Sequence, residues 1–117
     1  MTIYLVSRHP GAIVWLKEHL PPPLSASDCV VVEHLDAHAL GPGDVVAGVI
    51  PLAWAAEACA RGARVWALDV RLAAHQRGRE LEAEELTRAG ARLVAYEVRA
   101  VADADLAVQP AAPTACA

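Results

Sequence analysis

The sequence predicts an α/β fold: a Rossmann-like, mostly parallel five-stranded sheet with helices on both faces. Three observations carry this reading. Short apolar runs rich in Val, Ile and Leu recur five times along the chain, bounded by Gly, Pro or charged residues, the pattern of parallel strands buried on both sides. Three segments between them place apolar residues at helical spacing. Aromatic residues make up only 4% of the chain and Phe is absent, while the hydrophobic fraction reaches 56%. The core is therefore built from Val, Leu, Ile and Ala, which suits helices lying close on a sheet. A chain of 117 residues forms one such domain, placed at 1–100. The Ala- and Pro-rich stretch 101–117 is expected to be a disordered tail.

The first strand is expected at residues 2–6. Ser7-Arg8-His9-Pro10-Gly11 breaks it, and Pro10 suits the first turn of a helix, where its missing N–H costs nothing. Ile13, Leu16 and Leu20 give that helix its apolar stripe, and Pro21-Pro22-Pro23 stops it. Cys29-Val30-Val31-Val32-Glu33 reads as the second strand and 44–50 as the third, with the turn Gly41-Pro42-Gly43 between. Pro51 opens a second helix whose buried face is Leu52, Ala55, Ala56 and Cys59, and Gly62 caps it. The fourth strand covers 63–70. A polar, basic loop follows over 71–80, then a third helix over 82–89 ended by Gly90, and a fifth strand over 91–98. That last strand alternates in part, as an edge strand does.

In open α/β sheets ligands bind outside the carboxyl ends of the strands. Applied to this sequence, the rule gathers Ser7, Arg8 and His9 after strand one, His34 and Asp36 after strand two, and Pro51 after strand three. The loop after strand four brings Arg71, His75, Arg77 and Arg79. Four Arg and three His thus fall on one side of a chain whose formal net charge is −4. Two helix amino ends, near Pro10-Gly11 and Pro51-Leu52, point the same way and offer free N–H groups. Arg adds bidentate phosphate recognition. These features together favour a phosphate-bearing ligand. Ser7 can equally cap the first helix, and Arg77-Gly78 stands out because Gly lets a backbone come close. Trp15, Trp54 and Trp66 fall in or beside core patterns, and one of them could stack on a base.

Other classes are set aside. The acidic balance speaks against duplex DNA as a partner. Cys29, Cys59 and Cys116 are odd in number and have no C-x-x-C spacing, so neither a disulfide framework nor a structural zinc is expected. No metal motif, phosphate loop or dinucleotide fingerprint occurs, so no metal or cofactor is expected. Without a signal-like start or an apolar run of about 18 residues, no membrane association and a cytoplasmic setting are expected.

Ser7-Arg8-His9-Pro10-Gly11-Ala12 with Trp15 resembles the opening of the small CRISPR-associated Csx-sixteen family. So do His34-Leu35-Asp36, Pro42-Gly43-Asp44, Gly48 before Pro51, Ala55-Ala56-Glu57 with Cys59, Arg61-Gly62-Ala63 and Arg77-Gly78-Arg79-Glu80-Leu81. The resemblance spans residues 2–99. It departs from the family pattern at Val49 and Ala53, where Thr and His are frequent. The resemblance implies a type III CRISPR accessory related to CARF sensor domains. It further implies a ring nuclease that cleaves cyclic oligoadenylate, cyclic tetra-adenylate above all, and so switches off antiviral signalling. Such cleavage needs a ribose 2′-hydroxyl to attack its neighbouring phosphate in line, without metal. On this reading Arg8, His9 and Arg77 are catalytic, His9 serving as general acid or base. Ser7, Gly11, His34, Asp36, Pro51 and Arg79 bind the ligand. The near two-fold symmetry of the ring implies a homodimer with the site across its axis. Three rival readings stand beside this one. The first is a module that sequesters the same ligand uncut. The second is a histidine-phosphatase-like hydrolase, which Leu5-Val6-Ser7-Arg8-His9 partly resembles. The third is a structural or regulatory partner with no ligand, against which the Arg concentration at the strand ends speaks.

Overall fold

A computed structural model describes residues 2–22, 24 and 29–102. In chain order it contains β1 (Ile3–Val6), α1 (Pro10–Glu18), β2 (Cys29–Val32), β3 (Val45–Gly48), α2 (Leu52–Ala60), β4 (Arg64–Asp69), α3 (Ala83–Arg88) and β5 (Arg92–Tyr96). Single 3-10 turns occupy Ala37–Ala39 and Ala74–Gln76. Every expected strand and helix is present, shorter at the ends than its apolar run suggests. The tail expected over 101–117 lies outside the described residues from 103 onward.

The strands lie in the order β2-β1-β3-β4-β5. β1 pairs in parallel with both β2 and β3, and β3 with β4. β5 runs antiparallel to β4, Val65 opposite Tyr96. The chain leaves β1 for β2 on one side and returns to β3 on the other, so the strand order reverses between β1 and β3.

Successive side chains on a strand point to opposite faces, so the continuous apolar runs feed two core layers. Ile3, Leu5, Val45 and Ala47 pack with Ala12, Trp15 and Leu16 of α1 and Leu86 of α3. Val6, Val46 and Val65 pack with Ala55 and Ala58 of α2 and with Leu35 and Leu40. Leu5, Leu16 and Val46 are fully buried, each contributing roughly 1.5–3 kcal/mol through lost apolar exposure. Trp15 belongs to the first layer, its ring stacked on His19 at 4.1 Å. Cys29 and Cys59 are half-buried, one against each layer.

β2 differs from what its unbroken apolar run suggests. It forms an edge, and Val30 and Val31 stay 45% and 47% exposed. The reason is connectivity: β1 takes β3 as its other neighbour, which leaves β2 with a partner on one side only.

Among the described residues no helix is long and apolar enough to cross a membrane.

Candidate functional site

The reversal of strand order opens a cleft at the carboxyl ends of β1, β2 and β3. It has a volume of about 410 Å³ and is lined by Val6, Ser7, Arg8 and His9 after β1, Glu33 and His34 after β2, and Val49, Ile50, Pro51 and Trp54 from β3 into α2. Crevices at such reversals are where ligands enter open α/β sheets. Wider depressions occur between α1 and α3 and beside the amino end of β4, where the antiparallel β5 ends, but neither lies over the carboxyl ends of the parallel strands.

The backbone at the cleft floor is tightly tied. Ser7 donates its N–H to the Val32 carbonyl at 3.2 Å, and Val49 donates to the Val6 carbonyl at 2.9 Å. Gly48, at φ +133°, lies so close to β1 that a β-carbon there would overlap the Val6 carbonyl oxygen. Ser7 is buried, and its Oγ accepts the His9 N–H at 3.0 Å. The hydroxyl therefore pins His9, which is itself the N-cap of α1 and makes no side-chain cap hydrogen bond. The capping role weighed for Ser7 from sequence is not the one it takes, because the helix begins two residues later than that role requires.

Pro10 takes the first helical position of α1, and His9 precedes it as N-cap. The ring of His9 is exposed, with Nδ1 2.8 Å from Glu80 Oε1. Nε2 is left as the ring nitrogen open to a ligand. Arg8 is exposed and makes no ion pair among the described residues. Its charge is thus available, whereas Arg61, Arg79 and Arg92 each face a carboxylate. Pro51 is the N-cap of α2, and the first intrahelical acceptance there is the Pro51 carbonyl from Ala55 N–H at 2.9 Å. The N–H groups of the first turn ahead of Ala55 are consequently open at the cleft edge. Trp54 is half-buried, with His34 edge-on to its ring at 6.2 Å between centroids. Glu33 is the one carboxylate among the lining residues.

The structure thus brings together Ser7, Arg8, His9, His34 and Pro51. Asp36 lies just beyond, accepting the His38 N–H at 3.0 Å and starting a 3-10 turn. Gly11 packs against the loop before α3: a β-carbon at Gly11 would overlap the Leu81 carbonyl oxygen. Arg77 and Arg79 are not among the cleft residues. Arg77 is exposed on the loop after β4. Arg79 is turned to α3, its guanidinium 3.3 Å from Glu85.

Trp54 was one of three candidate stacking residues, and only the fold singles it out. Glu80 carried no role of its own in the sequence reading. Its one signal was its place in the Arg77-Gly78-Arg79-Glu80-Leu81 stretch. Among the described residues no group of His, Cys, Asp and Glu is arranged to hold a metal ion.

A family model described as "Putative CRISPR-associated protein (Cas_VVA1548)" matches residues 4–99, which include every residue lining this cleft. No curated protein and no solved structure matches the chain.

Proposed function

The chain belongs to the Cas_VVA1548 family of CRISPR-associated proteins, and on that premise we propose that it is a metal-independent ring nuclease acting on cyclic oligoadenylate. The observation that carries this reading is the convergence of Arg8, His9, His34 and the amino end of α2 around one 410 Å³ cleft. An unpaired guanidinium, an imidazole and free backbone N–H groups are what a phosphodiester and its transition state call for.

In the proposed reaction a ribose 2′-hydroxyl attacks the adjacent phosphorus in line with the bond to the next 5′-oxygen. His9 takes the hydroxyl proton through Nε2. The bond from phosphorus to the 5′-oxygen breaks, the electron pair leaves on that oxygen, and solvent protonates it. His9 then returns its proton to solvent. The product is linear oligoadenylate with a 2′,3′-cyclic phosphate at one end and a free 5′-hydroxyl at the other, and no water is consumed. Arg8 holds the scissile phosphate and offsets the charge that builds on it. Arg77 is exposed outside the cleft, so the second cation in this reading is the Arg8 of a facing copy. Trp54 offers a face for an adenine. One cleft supplies a single free Arg for a ring with several phosphates, so two copies facing each other across the ring complete the site. Cleavage of this messenger would end type III CRISPR signalling inside the cell.

Val49, which lines the cleft, and Ala53 in the first turn of α2, both exposed, favour a second reading. They put apolar side chains where the resembling family often has Thr and His, as a module that sequesters the ring uncut would tolerate.

The test is to incubate the full chain with excess cyclic tetra-adenylate in a chelator and resolve the products by chromatography. Turnover beyond one equivalent is expected. Arg8→Ala should slow it by about 100-fold or more, and His9→Ala should lower kcat far more than it raises KM. Tight binding without cleavage would establish sequestration. Phosphate release from a simple monoester would favour the phosphatase reading.

A further inference from the structure

His9 and Glu80 are 71 residues apart in sequence, yet Nδ1 and Oε1 meet at 2.8 Å. The contact does little for stability, because both side chains are more than half exposed, at 57% and 67%, and water screens such pairs. The fold holds both partners in place by other means. The backbone of His9 is fixed by Ser7 Oγ. On the other side, Leu81 is buried in the first core layer, and its carbonyl rests against Gly11 with no room for a side chain between. Glu85 of α3 then bolts the segment down from both ends. It accepts the Glu82 N–H at 3.2 Å and faces Arg79 at 3.3 Å. Glu80 is therefore carried to the His9 ring by packing around it, at no visible gain to the fold.

An ionised carboxylate has no proton to give, so in this contact Nδ1 is the donor. The neutral imidazole then carries its proton on Nδ1 and keeps its lone pair on Nε2. Free histidine in water prefers the opposite tautomer. We infer that Glu80 is a positioning residue for His9: it selects the Nδ1–H tautomer and so presents Nε2 to the cleft as the site's base. The catalytic consequence rests on the ring-nuclease reading, whereas the tautomer assignment does not.

The test reads the tautomer directly. In the ¹⁵N-labelled full chain, two-bond ¹H–¹⁵N spectra in alkaline buffer distinguish a protonated from an unprotonated ring nitrogen, and His9→Ala identifies the His9 signals. Wild type should show Nδ1 protonated, and Glu80→Ala should move the proton predominantly to Nε2. Glu80 is exposed, so this variant should keep the wild-type fold, checked by its backbone amide spectrum. Glu80→Asp, which retains the carboxylate, should recover part of the Nδ1–H form. Cleavage by Glu80→Ala should fall about 10- to 100-fold in kcat with little change in KM, less than the loss for His9→Ala. An Nε2–H tautomer in the wild type, or the same tautomer in wild type and Glu80→Ala, would overturn the inference. If the tautomer switches while the wild-type chain cleaves no cyclic oligoadenylate, the assignment of Glu80 stands and the nuclease reading falls.

Discussion

At Gly48 a single missing β-carbon sets the spacing of the cleft floor. Its φ of +133° is costly for any L side chain, and the Val6 carbonyl occupies the space such a side chain would need. Gly48→Ala should destabilise the chain by at least about 2 kcal/mol, combining backbone strain with overpacking. A urea denaturation midpoint equal to wild type would show that β1 and β3 can separate freely at this point. Sequence could read Ser7, Arg8 and His9 as site residues because they follow an apolar strand directly, and strand ends are where ligands bind. It could not read Glu80 the same way. Glu80 ends a polar loop, where a carboxylate is ordinarily solvated, and only the docking of Leu81 against Gly11 makes it a neighbour of His9.

The start of β3 is tied to the start of β1 by one carboxylate. Asp44 accepts the Thr2 N–H on Oδ1 and the Gly41 N–H on Oδ2, each at 3.0 Å. The Thr2 N–H first, and the Gly41 N–H second, hold its carboxyl below the ordinary value of 3.8. A lowered carboxyl pKa in the folded state stabilises the fold above the unfolded value, and that contribution is lost as pH falls through the folded one. Asp44→Asn should therefore weaken the chain at neutral pH and flatten the decline of stability below pH 3.8. Denaturation midpoints at pH 7 and pH 3 measure this, and an unchanged difference between them would refute it. The order of strands and helices was legible because apolar runs and Pro and Gly breaks mark each element locally. Which strands lie at the edges was legible only in part. The alternation in β5 pointed to an edge, but the run at β2 looks the same whether one side or both are paired.

On the whole-molecule scale, the cleft mouth is apolar where water should meet it. Val49, which lines the cleft for which a second copy is proposed, is 56% exposed. Leu52, next to Pro51 and expected from its helical spacing on the buried face of α2, is instead 75% exposed because that face is carried by Ala55 and Ala58. A homodimer through the cleft mouth would cover these side chains and bring two Arg8 residues to one ligand. Sedimentation of the wild type should give a dimer at micromolar concentration, and Leu52→Glu should give a folded monomer that binds cyclic tetra-adenylate at least about tenfold more weakly. A wild type that stays monomeric with and without ligand would remove the two-fold site from the proposal.

By itself the sequence determined the α/β class, the succession of elements and the strand-end residues Ser7, Arg8, His9, His34 and Pro51, because periodicity and chain breaks act over a few residues. The tertiary structure decided the rest. It set β2 at an edge, turned Arg79 toward Glu85, left Arg77 outside the cleft and joined Glu80 to His9. Those outcomes depend on which segments pack against which, and packing between distant parts of a chain leaves no periodic trace in either part alone.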